Sequence, residues 1–313
     1  KFAKLLTGYS TRVQPGDNVL INVDSGALPL ARALTREVVR AGAEPLLRVS
    51  YPEFTSDLLE LASDEWLDRE PEFALNEIKQ IDAWIRVSAP ENARQLQNAD
   101  KVRLNRLMKR GRAVQNIRVN DTRWLGTIWP TPAGAQDAGM STEEFERFAF
   151  EAMFLFEDDP AAAWRRQSEE QERLVARLSE ADEVRITGNG TDLRLSVKGR
   201  TWVNSAGLRN MPCGEVFTGP IEDSAEGVIT YDVPSSVNGV EVRNVRLRFE
   251  QGRVVEAEAE HGNDLLQAQL ASDPGARFLG ELGIGTNYRI QRPIKSILYD
   301  EKIGGTVHLA LGQ

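Results

Sequence analysis

The sequence predicts an α/β protein of two domains: an N-terminal doubly wound, mostly parallel sheet, then an α+β domain with a largely antiparallel sheet. Its 313 residues are more than one hydrophobic core usually supports. In the first half, short apolar strands alternate with helices of about 10–15 residues, the pattern of βαβ units. From Val184 onward, short alternating strands and tight turns take over. We therefore predict an α/β domain at residues 1–180 and a second, α+β domain at residues 181–313.

Apolar periodicity and capping signals place the elements of the first half. A turn at Pro15-Gly16-Asp17 precedes the first strand, Gly42 ends the second helix, and Ser141 begins the last one. The predicted elements are a helix at 1–11, a strand at 18–23, a helix at 28–40, a strand at 45–49, a helix at 55–67, a strand at 80–87, a helix at 93–112, a strand at 123–130 and a helix at 141–156.

A nucleotide site is the usual function of such a sheet, but its sequence signals are missing. The first predicted strand is followed by Asp24-Ser25-Gly26-Ala27, which does not fit the glycine-rich dinucleotide fingerprint. The chain also contains no P-loop. We therefore expect a scaffold that binds no nucleotide cofactor, which disfavours a nucleotide-dependent oxidoreductase.

The second half begins after a polar helical segment at 158–183. Gly188-Asn189-Gly190 and Gln251-Gly252 are hairpin turn signals between alternating runs. A helix is predicted at 263–270. These features indicate an antiparallel sheet with at least one helix.

Charge and composition limit the classes of partner that this protein is expected to bind. The net charge of −9 disfavours nucleic acid and anionic membrane surfaces as partners, because both attract basic proteins. No apolar run approaches the roughly 18–20 residues of a membrane span, and the first residues do not resemble a signal peptide. A single cysteine cannot form an internal disulfide. We therefore expect a cytoplasmic protein with no membrane partner.

The C-terminal stretch, 277–313, holds the first candidate site. It contains Glu281, Asp300, Glu301 and His308, one of only two histidines in the chain. Carboxylate oxygens and an imidazole nitrogen suit a divalent cation. No H-E-x-x-H motif occurs, so the site would be assembled across strands and turns. With 47 acidic residues in the chain, a chance grouping is the alternative.

Two glycine–glutamate pairs support the metal interpretation. Gly214-Glu215 and Gly280-Glu281 each place a glycine before a carboxylate, which lets the backbone approach a neighbour closely. Cys213 precedes Glu215 by two residues. Its thiolate could lie near a metal, but we expect a small buried side chain. His261 lies in a polar turn, where a solvated histidine is expected.

Four blocks of the second half resemble, in the same order, the aminopeptidase T and aminopeptidase S family of two-domain bacterial metallo-aminopeptidases. The first half resembles that family in its general layout only. The blocks are GTDLRLSVKGRTW (190–202), NMPCGEVFTGPIEDSAEGVI (210–229), GELGIGTN (280–287) and DEKIGGTVHLALG (300–312).

This resemblance implies that Glu215, Glu281, Glu301 and His308 bind two divalent ions, which could be zinc, cobalt, magnesium or manganese. Glu281 would bridge the two ions, and Glu301 would bind metal or act as the general base or acid, so both are candidate catalytic residues. The resemblance also implies peptide substrates with a free N-terminus and a homodimer. The family has further ligands after the ALG run, a tyrosine and a His-Trp-Asp motif. The sequence given ends at Gln313, before them, so we expect an incomplete ligand set.

The sequence therefore predicts a metal-dependent aminopeptidase in which a dinuclear site activates water. Two metals about 3.5–4 Å apart would polarise the scissile carbonyl and lower the pKa of a bridging water. The alternative is a non-catalytic ligand-binding or regulatory protein with a degenerate metal site. Inhibition by a chelator would favour the enzyme.

Overall fold

The computed structural model describes residues 1–237 and 240–312. Its strands are β1 Asn18–Asp24, β2 Glu44–Ser50, β3 Ala83–Ser88, β4 Arg123–Ile128, β5 Glu183–Gly188, β6 Thr191–Ser196, β7 Val203–Ser205, β8 Asn210–Met211, β9 Glu215–Thr218, β10 Glu226–Thr230, β11 Ser235–Val237, β12 Val240–Glu250, β13 Arg253–His261, β14 Leu279–Gly285 and β15 Val307–Leu311.

The helices alternate with strands through the first half and become sparse in the second. They are α1 Phe2–Lys4, which continues as a π-helical turn over Leu5–Ser10, α2 Leu28–Arg40, α3 Phe54–Leu61, α4 Asp64–Asp68, α5 Glu72–Ile78, α6 Lys101–Asp121, α7 Pro132–Asp137, α8 Thr142–Ala152, α9 Pro160–Leu178, α10 Asn263–Leu270 and α11 Ile297–Asp300. None of the described helices is both long and apolar enough to cross a membrane.

The chain divides into two compact units. Unit 1 comprises Lys1–Ala161 and Gly207–Pro212, and unit 2 comprises Ala162–Ala206 and Cys213–Gln313. Helix α9 thus lies in unit 2 from Ala162 onward, and the short strand β8 lies in unit 1. The domain boundary drawn from the sequence at residue 180 stays a prediction.

Unit 1 is built on a parallel sheet with the strand order β2-β1-β3-β4-β8. The order runs outward from β1 in both directions, as in doubly wound sheets. Val19, Ile21 and Val23 of β1 are fully buried, as expected for a central parallel strand. The predicted α/β class with a parallel first sheet is therefore confirmed.

Two helix predictions in unit 1 were wrong in their boundaries. The helix predicted at 93–112 is α6, which begins only at Lys101 because the Asp100 side chain accepts hydrogen bonds from the Val102 and Arg103 amides. The helix predicted at 55–67 is split into α3 and α4. The Ser63 hydroxyl accepts a hydrogen bond from the Trp66 amide and starts the second of them.

Unit 2 contains two antiparallel sheets, as predicted for the second half. The larger has the order β11-β12-β10-β6-β5, with β13 paired to β12, and the smaller has the order β15-β14-β9-β7. The predicted hairpin turns join β5 to β6 and β12 to β13. The helix predicted at 263–270 is α10.

One apolar core supports both sheets of unit 2. It contains buried side chains of the larger sheet, such as Leu193 and Leu247, and of the smaller sheet, such as Val216 and Leu282. Leu174 of α9 packs against the same core. The smaller sheet, which carries three of the four predicted metal ligands, is thereby packed on the same core as the larger sheet.

Candidate metal centre

Three predicted ligands lie on neighbouring strands of the smaller sheet. Glu215 begins β9, Glu281 lies in β14 and His308 lies in β15. In the strand register, Gly285 is opposite Glu215 and Gly283 is opposite His308. The pairing of β14 with β15 shifts register between Leu279 and Glu281, and such an irregularity changes the direction of β14 at Glu281. The fourth residue, Glu301, directly follows the short helix α11.

The structure brings Glu215, Glu301 and His308 together, with one ligand atom from each lying within 4.8 Å of the others. His308 Nε2 lies 3.4 Å from Glu215 Oε2 and 3.4 Å from Glu281 Oε1. Glu281 thus joins the group through the histidine. Its side chain is 34% exposed, whereas that of Glu215 is 7% exposed. The four residues form a cluster with one buried and one open end.

The donor atoms of this cluster fit a metal ion. Within the described part of the chain, both ring nitrogens of His308 are buried without a hydrogen-bond partner, and the buried Glu215 Oε2 has an ion-pair contact with Lys302 but no hydrogen bond of good geometry. Burying such atoms unpaired is costly, so they call for a ligand. Two ligand atoms about 2.1 Å from a tetrahedral ion lie about 3.4 Å apart, which matches the spacing around His308 Nε2.

Lys302 is a component of the cluster that the sequence analysis missed. Its ammonium lies 2.7 Å from Glu301 Oε2 and 3.2 Å from Glu215 Oε2, and its side chain is only 4% exposed. Lys302 has no role in the sequence analysis. No local signal distinguishes this lysine, because its burial depends on how the segment after α11 folds back onto β9.

Burial and charge act in opposite directions on these groups. Burial raises the pKa of the Glu215 carboxyl, although Lys302 and His308 partly offset the effect. Burial alone would lower the pKa of Lys302, but Glu215 and Glu301 outweigh it and hold the pKa above its usual value. One ammonium therefore pairs with two carboxylates, and the negative charge of the cluster is not fully balanced, which favours a bound cation.

Glycines give the ligands the room they need. A Cβ on Gly283 would lie 2.0 Å from His308 Nε2, so only glycine lets the imidazole lie across β14. Gly214 has φ +111° and lies against Asn287, and a Cβ on Gly280 would lie 2.0 Å from the Gly312 carbonyl oxygen. The predicted close backbone approach at both glycine–glutamate pairs is confirmed.

Two buried amides fix the backbone around the ligands. Gln171 of α9 donates from Nε2 to the Glu215 carbonyl at 2.8 Å and to Asn204 Oδ1 at 2.8 Å. Asn287 Nδ2 donates to the Cys213 carbonyl at 2.9 Å, and its main-chain amide donates to the Lys302 carbonyl at 2.9 Å. Asn287 thus connects the segment before Glu215 with the segment after Glu301. Sequence alone gave no role to Gln171, in what reads as a connecting helix.

Three other candidates lie outside the metal-ligand group. The Asp300 carboxylate accepts hydrogen bonds from the amides of Ile294 and Ser296 and so holds the turn before α11. Cys213 is fully buried and contacts Ser205, which agrees with a buried structural cysteine. His261 is exposed at the end of β13, as expected.

A cavity of about 600 Å³ in unit 2 reaches the cluster. Glu301 and His308 form part of its wall, and apolar side chains from β12, α10 and β15 form much of the rest. The two ligands are therefore accessible from a space large enough for a small peptide group.

Comparison with known proteins decides the family. The profile of the family described as thermophilic metalloprotease (M29) matches residues 1–313. The chain belongs to the M29 metalloprotease family. The resemblance read from the four sequence blocks is thereby confirmed, and so is the predicted enzyme class, a metal-using hydrolase of peptide bonds.

Relatives of this M29 chain are aminopeptidases. Aminopeptidase 2 of Geobacillus stearothermophilus is 28% identical over 351 residues, covering 100% of this chain and 83% of the relative. Aminopeptidase T of Thermus thermophilus is 29% identical over 348 residues, covering 100% and 84%. The solved structure of wild-type AmpT from Thermus thermophilus superimposes with a TM-score of 0.82 at 27% identity, covering 98% of this chain and 83% of that one.

Proposed function

We propose that the protein is a metal-dependent aminopeptidase that removes N-terminal residues from peptides with the help of two divalent ions. The observation that carries the proposal is the group of Glu215, Glu301 and His308, in which both ring nitrogens of His308 are buried without a hydrogen-bond partner among the described residues. The family match and the aminopeptidase relatives support the same activity. Zinc, cobalt, magnesium and manganese all suit this set of oxygen and nitrogen donors.

The four ligands would divide the work of holding the ions. His308 lies between Glu281 and Glu215, 3.4 Å from an oxygen of each, and Glu215 and Glu301 lie together beside Lys302. Glu281, with its partly exposed carboxylate, is our candidate for the bridging ligand. Bound divalent ions polarise a carbonyl and lower the pKa of water, which is the chemistry that amide hydrolysis needs.

Glu301 is our candidate for the residue that moves protons. Its side chain is 30% exposed and faces the cavity, while Lys302 holds one of its oxygens at 2.7 Å. A carboxylate fixed in this way can take a proton from water and deliver it to the amine of the leaving peptide. The free α-amine of the substrate would be recognised in the same cluster, which makes the enzyme an exopeptidase.

The test is hydrolysis of a leucyl chromogenic amide by the full-length protein. The enzyme is stripped with a chelator, assayed, and assayed again with zinc, cobalt, manganese or magnesium. We expect activity that disappears with the chelator and returns with metal, and that falls at least a hundredfold in Glu281→Gln. Activity that ignores the chelator would refute the proposal. No activity with any metal would favour a non-catalytic binding protein with a degenerate metal site.

We also propose a cytoplasmic location and a homodimer. A single, fully buried cysteine suits a reducing compartment. The dimer rests on the family resemblance, and light scattering of the purified protein would test it.

A further inference from the structure

Lys302 is unusual among the lysines of this chain because its side chain is almost completely buried. It is 4% exposed, compared with 71% for Lys198 in the same unit. A buried ammonium is tolerated when carboxylates surround it, and here Glu215 and Glu301 do so at 3.2 Å and 2.7 Å. Both partners are predicted metal ligands. The ammonium therefore lies against the same oxygens that a divalent ion would use.

The carboxylates of the cluster differ in whether they contact Lys302. Glu215 Oε2 and Glu301 Oε2 both pair with Lys302, whereas Glu281 Oε1 lies beside His308 Nε2, which is 3.4 Å from both Glu281 and Glu215. No ion pair joins Glu281 to Lys302 in the described part of the chain. An ion held by Glu281 and His308 leaves the lysine contacts in place. An ion held by Glu215 and Glu301 must share these oxygens with the ammonium or displace it.

We infer that Lys302 is a built-in competitor for one of the two divalent ions, so that the ions bind with unequal affinity. The ion at His308 and Glu281 binds tightly. The second ion, which takes Glu215 and Glu301 in addition to the bridging Glu281, binds weakly because it competes with the ammonium. When the weak site is empty, Lys302 neutralises the two carboxylates and keeps the site folded. This inference rests on the proposed function only in taking the cluster to be the metal site.

The weak ion would then act as a control on the enzyme. An ammonium and a divalent cation are both attracted to the same carboxylates, and their like charges repel at short range. Occupancy of the weak site would therefore follow the concentration of free metal, while the tight site stays filled.

Calorimetric titration of the chelator-stripped full-length protein with cobalt tests the inference, using the ion alone as the probe. In the wild type we expect two binding events with dissociation constants that differ at least tenfold. In Lys302→Met, which has nearly the same shape but no charge, the weaker event should tighten at least tenfold. The matched control is Lys198→Met, which removes an exposed lysine from unit 2 and should leave both events unchanged.

Lys302→Gln guards against a folding failure of the methionine variant, because its amide can still donate hydrogen bonds to the carboxylates. It should tighten the weaker event as well. Unchanged or weakened cobalt binding in the folded variants would overturn the inference, since Lys302 would then order the ligands or play no part. Absence of cobalt binding to wild type and variants alike would also overturn it.

A parallel assay of leucyl-amide hydrolysis distinguishes failure of the Lys302 inference from failure of the proposed aminopeptidase function. Metal-dependent hydrolysis together with unchanged cobalt affinities would refute the role of Lys302 alone. Absent hydrolysis together with tightened cobalt binding would refute the aminopeptidase alone.

Discussion

At the scale of single residues, the geometry of the metal centre depends as much on missing side chains as on ligands. His308 can reach Glu215 and Glu281 only because the strand position opposite it is Gly283. A Cβ at residue 283 would lie within 2.8 Å of three atoms of the imidazole ring. The ring would have to rotate out of the cluster.

Gly283→Ala therefore tests the position of His308 without changing a ligand. We expect metal affinity to fall at least tenfold, because the displaced imidazole no longer shares an ion with the carboxylates. Calorimetric titration with cobalt measures the change. Gly188→Ala is the matched control, since its new methyl group would be 4.0 Å from the nearest atom, in Thr191. Equal affinities in the two variants would show that His308 does not bind metal.

At the residue scale, the predicted ligands could be identified from the sequence, whereas the role of Lys302 could not. The family resemblance of four sequence blocks implies Glu215, Glu281, Glu301 and His308 as ligands, and the structure places these four residues in one cluster. The role of Lys302 could not be read from sequence, because a lysine beside a glutamate is usually a solvated pair. Only the tertiary fold buries it.

At the scale of elements, helix α9 stabilises the backbone of the candidate metal centre through Gln171. Gln171 is 1% exposed, and its amide bonds to the main chain of Glu215 and to Asn204. The polar helical segment predicted between the two domains is therefore part of unit 2, next to the predicted metal ligands. Its contribution was hidden because one buried glutamine among many polar residues carries no periodic signal.

Gln171→Ala should lower the free energy of unfolding by about 2–3 kcal/mol, since it leaves buried carbonyl and amide oxygens without donors. It should also weaken metal binding, because the Glu215 backbone loses its anchor. Urea unfolding and cobalt titration measure the two effects. Arg173→Ala, an exposed position on the same helix, should change stability by less than about 0.5 kcal/mol. A loss of similar size in both variants would contradict the anchoring role.

The turn before α11 should respond to pH through Asp300. Burial raises the pKa of this carboxyl to about 6, above the 3.8 of an ordinary aspartate, despite hydrogen bonds from the Ile294 and Ser296 amides. The folded protein then holds the proton more firmly than the unfolded chain does. Asp300 therefore favours folding most below pH 4, and this benefit disappears as the pH rises to about 6.

Comparison of wild type with Asp300→Asn isolates this effect. Between pH 4 and 6, with chelator present, the wild type should lose on the order of 1–2 kcal/mol relative to the variant, after allowance for partial exposure. Above about pH 7, where Asp300 is ionised in both states, the difference should be constant. Parallel stability curves across the whole range would contradict the raised pKa.

Element boundaries were predictable where their signals are local. Helix α2 has the predicted bounds, with Pro29 in its first turn and Gly42, at φ +78°, just after its end. Helix α6 was misplaced because leucine and arginine also continue through the turns before it. Strand β8, which adds Asn210 and Met211 to the first sheet, lies 82 residues after β4 ends. A pairing so distant along the chain leaves no local pattern.

At the scale of the whole molecule, the order of sequence patterns determined the fold class. Alternating strands and helices gave the parallel sheet, and short runs with hairpin turns gave the antiparallel sheets. All four predicted ligands come from unit 2. The assembly of β9, β14, β15 and the segment after α11 into one site could not be derived from spacing, because it is set by long-range strand pairing.

The most direct test of the central claim is anomalous X-ray diffraction from crystals of the full-length protein soaked with zinc or cobalt. The claim is that Glu215, Glu281, Glu301 and His308 hold the catalytic metal ions. It predicts anomalous peaks about 2.0–2.3 Å from Glu215 and His308 ligand atoms, at the metal absorption edge. Peaks only at other surface carboxylates, or an empty cluster at saturating metal, would contradict it.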